Sequence, residues 1–378
     1  IVLILGFGAM LGKMVADSGA AQRISSKLIG LFGIRNIQWA MVITGFMVGI
    51  PMFYNVGFVV LIPLVFTVAA TSGLPLLYVG IPLLASLSVT HGFLPPHPSP
   101  IAICSMFGAD VGKTIGYGII ISIPAIIVAG PYFGKTLKKV NASPIKEFVG
   151  SKILTENEMP GIWSSVLTTL MPVILIGLNS ISAIFLPEGS SLRSVLGFLG
   201  DPVIAMLISL LAAVYLLGKG RGKKMLVIME SLGNSIGSIT MVLLIIAGAG
   251  AFKQVLISSG VSDDIAGLLT KSDMSPLLLA WLIAAVIRIC IGSATVAGLT
   301  TAGILIPLAA SGTVNKELMV LAIGAGSLML SHINDSGFWM YKEYFNLSVK
   351  DTFKTWTVME TIVSTIGLFG VLIADLIL

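Results

Sequence analysis

The chain has 378 residues, 56% of them hydrophobic and 10% charged, with 22 basic against 17 acidic side chains. Soluble domains average about 25% charged residues, so a water-soluble enzyme is excluded. On so apolar a chain, the net charge of +5 marks loop topology rather than a nucleic-acid surface, and no nucleic-acid partner is expected. Apolar runs close to the roughly 20 residues that a helix needs to cross a bilayer recur along the whole length. The expected fold is an all-α polytopic membrane protein.

The chain opens on Ile1-Val2-Leu3-Ile4 inside an apolar run, without a methionine or a signal-peptide pattern, and one or more spans are expected ahead of it. Apolar segments follow in order at 1–17, 37–70, 75–109, 112–137, 161–187, 194–218, 226–258, 276–312, 315–345 and 349–376. Basic residues collect at Arg23, Lys27 and Arg35, then at Lys135, Lys138, Lys139, Lys146 and Lys152. They collect again at Lys219, Arg221, Lys223 and Lys224, and near Lys342, Lys350 and Lys354. The positive-inside rule puts all four groups in the cytoplasm, with the C-terminus on the external side.

Cytoplasmic groups must be separated by an even number of crossings. Three apolar segments lie between Arg35 and Lys135, and a surplus segment also lies between Lys224 and Lys342. Helix-interrupting residues sit in the middle of each surplus segment: Gly49-Ile50-Pro51-Met52-Phe53-Tyr54-Asn55 in 37–70, and Gly292-Ser293-Ala294-Thr295 in 276–312. Parity is restored if each is a re-entrant helical hairpin, the first entering from the cytoplasm and the second from outside. Residues 19–34 read as an amphipathic arm along the cytoplasmic interface, with Asp17 as its expected cap. Lys13 and Lys253 are expected to snorkel, and Asp263, Asp264 and Asp273 fit an external position. Cys104 and Cys290 lie inside apolar segments and are expected as free thiols.

Self-comparison finds the same features twice in the same order. Gly6-Phe7-Gly8-Ala9 matches Gly248-Ala249-Gly250-Ala251, Ser18-Gly19 matches Ser259-Gly260, and Leu61-Ile62-Pro63-Leu64 matches Leu305-Ile306-Pro307-Leu308. His91 falls opposite His332. Because the copies start from opposite sides, an inverted-topology repeat is expected. The first copy is residues 1–137, a cytoplasmic loop with two connecting scaffold spans is 138–225, and the second copy is 226–378. Such repeats place substrate and coupling-ion sites in broken helices near the midplane.

Two stretches read as such breaks. Thr90-His91-Gly92-Phe93-Leu94-Pro95-Pro96-His97-Pro98-Ser99-Pro100 carries four prolines within six residues, so the helix must open. Open backbone is tolerated at membrane depth only against protein or a wet cavity. His91 and His97 either pack this break or bind substrate and handle protons. The matching stretch is Ser331-His332-Ile333-Asn334-Asp335-Ser336-Gly337-Phe338-Trp339, and all three histidines of the chain fall in the two breaks. Asp335 places a carboxyl group deep in the membrane, where acids mark ion or proton pathways. Its structural alternative is a buried partner for Arg288 or Lys342.

The second hairpin tip offers the Ser293, Thr295, Thr300 and Thr301 hydroxyls, and a helix N-terminus there would attract an anion. The first tip offers Tyr54 and Asn55. The same residue types also serve helix packing in bilayers. The sequence has no P-loop, no Gly-x-Ser-x-Gly, no His-Glu-x-x-His and no Cys/His cluster of metal spacing. No metal or cofactor is expected, an ATP-driven pump is excluded, and an intramembrane hydrolase is disfavoured.

At these residues the sequence resembles the gluconate permease family (gluconate–proton symporters) of the ion transporter superfamily. The likeness is carried by Gly6–Lys13 through Asp17–Ile24, the tip Gly49–Tyr54, His91–Pro98, Gly248–Leu256, Gly292–Ala297, Ser331–Trp339, and Lys342–Phe345 through Thr352–Thr357. It covers nearly all of the chain. It implies proton-coupled uptake of gluconate or a related sugar acid at the inner membrane, by a homodimer in which a transport domain moves like an elevator. Some members of the family are specialised for other small hydroxylated carboxylates, D-serine among them.

The substrate carboxylate is then expected near Ser293 and Thr295, with Tyr54 and Asn55 of the first tip completing the site. Substrate hydroxyls would bond to Asn55, His91, His332 and Asn334. Asp335 is the expected proton-linked group, followed by His91, His97 and His332. Sodium coupling through opened backbone carbonyls, an intramembrane enzyme and a channel are the alternatives.

Overall fold

The computed structural model describes residues 2–50, 54–95, 97–145, 154–187, 189–259, 274–311 and 314–378. Pro51, Met52, Phe53, Pro96, Lys146, Lys152, Asp263, Asp264 and Asp273 lie outside the described residues. The described secondary structure is helical, without a strand. In chain order the helices are α1 (Val2–Asp17), α2 (Ala20–Phe32), α3 (Ile37–Gly49), α4 (Tyr54–Ser72), α5 (Leu76–Phe93), α6 (Pro98–Phe107) and α7 (Val111–Lys139). They continue with α8 (Ile162–Phe185), α9 (Ser191–Leu199), α10 (Pro202–Arg221), α11 (Met225–Ser258), α12 (Pro276–Ile291), α13 (Ala294–Ala310), α14 (Lys316–Gly326), α15 (Ser336–Tyr344) and α16 (Val349–Ile377). Of these, α5, α7, α8, α10 and α16 are each long and apolar enough to cross a membrane.

Both surplus segments are pairs of helices rather than single spans. Their first arms have 13 and 16 residues, which at 1.5 Å per residue reach about 20 and 24 Å. That is short of the roughly 30 Å hydrocarbon core of a bilayer. Both broken-helix segments are also divided, α5 from α6 and α14 from α15. In the first, Pro98 opens α6 at the position where a missing N–H is harmless.

Two expectations need correction. The segment 194–218 is not one span, because Gly200-Asp201-Pro202 ends α9 and starts α10. The Asp201 carboxylate accepts from the N–H groups of Val203 at 2.9 Å and Ile204 at 3.2 Å, and proline follows at the first helical position. Asp17 does not cap the arm α2. Gly19, at φ 80°, turns the chain there without a side-chain bond, and the carboxylate points back one turn to Lys13 at 3.1 Å and accepts from Ser231 Oγ at 3.1 Å. The arm itself meets the stretch Ile34–Gly49 at 97°. It is tied down by Arg23, which donates to the Pro160 carbonyl at 3.0 Å and pairs with Glu156 at 2.9 Å. Cys104 and Cys290 are free thiols.

The buried centre is α5, covered along almost its whole length. Pro82 lies inside it and cannot supply the N–H that the Tyr78 carbonyl would accept. Gln38 of α3 supplies it instead, donating from Nε2 to that carbonyl at 3.0 Å, and is itself buried. Gln38→Leu should therefore leave a buried acceptor unpaired. The expected loss is about 1–3 kcal/mol, read as a lower unfolding temperature in detergent.

Candidate functional site

Each helix pair ends its first arm on carbonyls that have no partner further along the helix, and each broken helix sends an imidazole to them. His97 Nε2 lies 2.8 Å from the Gly49 carbonyl at the end of α3. His332 Nε2 lies 3.0 Å from the Ile289 carbonyl near the end of α12. Asn334 adds a second tie, its Nδ2 donating to the carbonyls of Ile289 at 2.7 Å and Cys290 at 3.0 Å. Both contacts are too close for a larger residue. A Cβ at Gly49 would collide with Thr90 Oγ1, and one at Gly292 would collide with the Asn334 carbonyl. Gly292 is left-handed as well, at φ 74°, and so makes the turn between α12 and α13.

A buried polar chain runs from the second tip to the last helix. Arg288, 4% exposed, pairs with Asp335 through Nη2 and Oδ2. Ser331 donates to the same Oδ2, and the Gly337 N–H donates to Oδ1 at 2.9 Å, which makes Asp335 the cap of α15. Trp356 Nε1 donates to Ser331 Oγ at 2.7 Å, and Thr357 Oγ1 donates to the Ser331 carbonyl at 2.6 Å. Trp356 and Thr357 belong to a π-helical turn, Phe353–Thr357, a local widening that recurs at functional sites. The Tyr54 ring, at the start of α4, lies 5.4 Å from the Trp356 ring. One turn beyond Trp356, the buried Glu360 accepts from Ser88 Oγ of α5. Trp356→Phe should cost about 1 kcal/mol for the lost bond, measured by thermal unfolding, while leaving the ring stack intact.

Some capacity is left over. Among the described residues, Arg288 Nε and Nη1, Tyr54 OH, Asn334 Oδ1 and Thr301 Oγ1 are buried without a hydrogen-bond partner. Beside them, α6 and α13 run parallel. Gly298 faces Ser99 and Ile103, and Gly303 faces Met106 further along both helices. Their N-terminal ends therefore lie on the same side, each favouring negative charge. Guanidinium donors, an amide oxygen, two hydroxyls and two helix N-termini together suit a small hydroxylated anion.

A family model described as GntP family permease matches residues 1–377. The chain belongs to the GntP permease family. The high-affinity gluconate transporter of Escherichia coli K12 is 53% identical over 379 residues, covering 100% of this chain and 86% of that protein. With the same coverages, the Gnt-II system L-idonate transporter of the same organism is 51% identical over 378 residues, and the gluconate permease of Bacillus subtilis 168 is 48% identical over 387. As a GntP permease, the chain is a multi-pass membrane transporter and not an enzyme.

Within this GntP permease, the structure gathers the residues expected from sequence unevenly. His91 and His97 stack edge to face at 5.1 Å, and His91 lies within electrostatic reach of Arg288 and Asp335. Asp335 is buried with Arg288, the first of its two structural partners expected from sequence, whereas Lys342 pairs with Glu343 at 2.8 Å. His332, Asn334 and His97 are engaged in tying the tips. His97, not His91, thereby makes the contact equivalent to that of His332. Ser293 caps α13 through the Val296 N–H at 3.4 Å, while Thr295 and Asn55 are half-buried beside their tips. Glu360, Ser331, Trp356 and Ser88 were missed. Glu360 had a signal: it is the sole carboxyl residue between Asp351 and Asp375 in an apolar segment.

Proposed function

We propose that this permease takes up gluconate or a closely related sugar acid together with protons, across the inner membrane. The observation that carries this reading is the buried Arg288 guanidinium, with Nε and Nη1 left for a ligand among the described residues, in a chain whose relatives are named for gluconate and L-idonate transport. Arg288 and the N-terminal end of α13, with Ser293 and Thr295, would hold the carboxylate. Tyr54, Asn55, His91 and the free Asn334 Oδ1 would meet the hydroxyls.

Asp335 accepts three hydrogen bonds, one of them from a cation. That favours orienting Arg288 over carrying the proton, the role first expected of it. The His97 and His332 contacts favour holding the tips over proton transfer.

The short first arms of the two helix pairs support re-entrant hairpins in an inverted repeat, with residues 1–137 and 226–378 as its halves and 138–225 between them. In this reading the hairpins and broken helices form the unit that moves, elevator-like, within a homodimer, and the C-terminus faces outward.

The test is uptake into proteoliposomes. An inward acid gradient of one pH unit should drive up to about tenfold gluconate accumulation per proton, and an imposed sodium gradient at constant pH should drive none. Gluconate and L-idonate should compete with each other, and D-serine should not. Accumulation driven by sodium alone would overturn proton coupling.

A further inference from the structure

We infer that Glu360 carries the proton that moves with the substrate; this rests on the proton-coupled reading above. Glu360 is 1% exposed in the middle of α16, and no described cation forms an ion pair with it. The other central charges cancel, because Arg288 is matched by Asp335. Among the described residues Glu360 has no ion-pair partner of its own, and an unpaired buried carboxylate costs several kcal/mol.

Its hydrogen bonding leads to the same place. Both carboxyl oxygens contact one atom, Ser88 Oγ, at 2.6 and 2.8 Å. A hydroxyl has a single proton to donate, so an ionised Glu360 would leave one oxygen without a donor. With a proton on Glu360, the carboxyl O–H donates to Ser88 Oγ while the Ser88 hydroxyl donates to the other oxygen, and both contacts are hydrogen bonds.

The position suits coupling. Ser88 stands one turn before His91 on α5, and Trp356 stands one turn before Glu360 on α16 and holds Ser331 of the second break. The charged or titratable groups within electrostatic reach of Glu360 are Arg288 of α12, Asp335 of the second break and Tyr54 of α4. In contrast, α7 and α14 meet α16 through Ile121 and through Ala325 against Gly367. In transport, the Glu360 O–H bond breaks on the cytoplasmic side, the proton leaves to water, and the carboxylate is reprotonated from outside before the next cycle.

The full chain carrying Glu360→Gln tests this in proteoliposomes. Gluconate exchange at equal pH should persist, since Gln keeps the size and a Ser88 contact. Accumulation driven by the acid gradient should vanish, a loss of about tenfold per pH unit and proton, and no proton should enter with gluconate. Gradient-driven accumulation at the wild-type level would overturn the inference alone. Loss of exchange in a normally folded variant would overturn it too, in favour of a structural role. A wild type that imports gluconate without protons would instead overturn the proton-coupled reading itself. If Glu360→Gln does not fold, Ser88→Ala decides. The Ser88 hydroxyl bonds both protonation states of Glu360, twice when it is protonated and once when it is ionised, so its loss should shift the pH range over which uptake persists, and an unchanged pH profile would overturn the inference.

Discussion

Asp335→Asn should destabilise the protein by about 3–5 kcal/mol, because Arg288 keeps its charge in a buried place after losing the anion it pairs with. The diagnostic variant is the double change Arg288→Met with Asp335→Asn. With no stranded charge left, most of the lost stability should return, since apolar replacement of a buried ion pair is often neutral. Transport should not return, because the guanidinium proposed to hold the substrate carboxylate is gone. Thermal unfolding in detergent and gluconate exchange, measured on the same preparations, separate the two effects. An Asp335→Asn protein as stable as the wild type would contradict the pairing.

The second large effect is expected at Gly292. Alanine there must adopt a left-handed conformation at φ 74°, costing about 1–2 kcal/mol. Its Cβ would also strike the Asn334 carbonyl, an overpacking that adds about 1–3 kcal/mol. The same Asn334 ties the Ile289 and Cys290 carbonyls, so the collision should open the second tip and abolish exchange. Gly222→Ala is the control. It has the same backbone sign, φ 82°, with nothing within 4 Å, and should lose only the conformational part while transporting normally.

Much of this architecture was legible because helix-breaking residues in a membrane leave few alternatives. The prolines at 95–100 and the glycines at 49 and 292 fell close to where described helices end, and the two segments that crossing parity marked as surplus are each a pair of helices. What sequence could not show is which polar group answers which. Asn334 and His332 looked like ligands for substrate hydroxyls, yet each bonds a backbone carbonyl. That pairing depends on the separation of two segments more than 40 residues apart in the chain. Glu360 was passed over because its neighbours form an unbroken helix; nothing local announces a partner on α5. The break within 194–218 was hidden for the opposite reason, since Gly200-Asp201-Pro202 is a short signal inside a strong apolar average.

The Gln38 bond to the carbonyl abandoned by Pro82 has a mechanical implication. If α3 slid along α5 by even one residue, the amide would leave its acceptor and strand a dry C=O, a penalty of about 1–3 kcal/mol before any apolar contact is lost. The His97 bond to Gly49 opposes the same displacement at the other end of α3. Tied at both ends, this helix breaks two buried hydrogen bonds if it slides on its neighbour. An excursion of the first tip therefore costs least when α5 travels with it, with the sliding surface elsewhere.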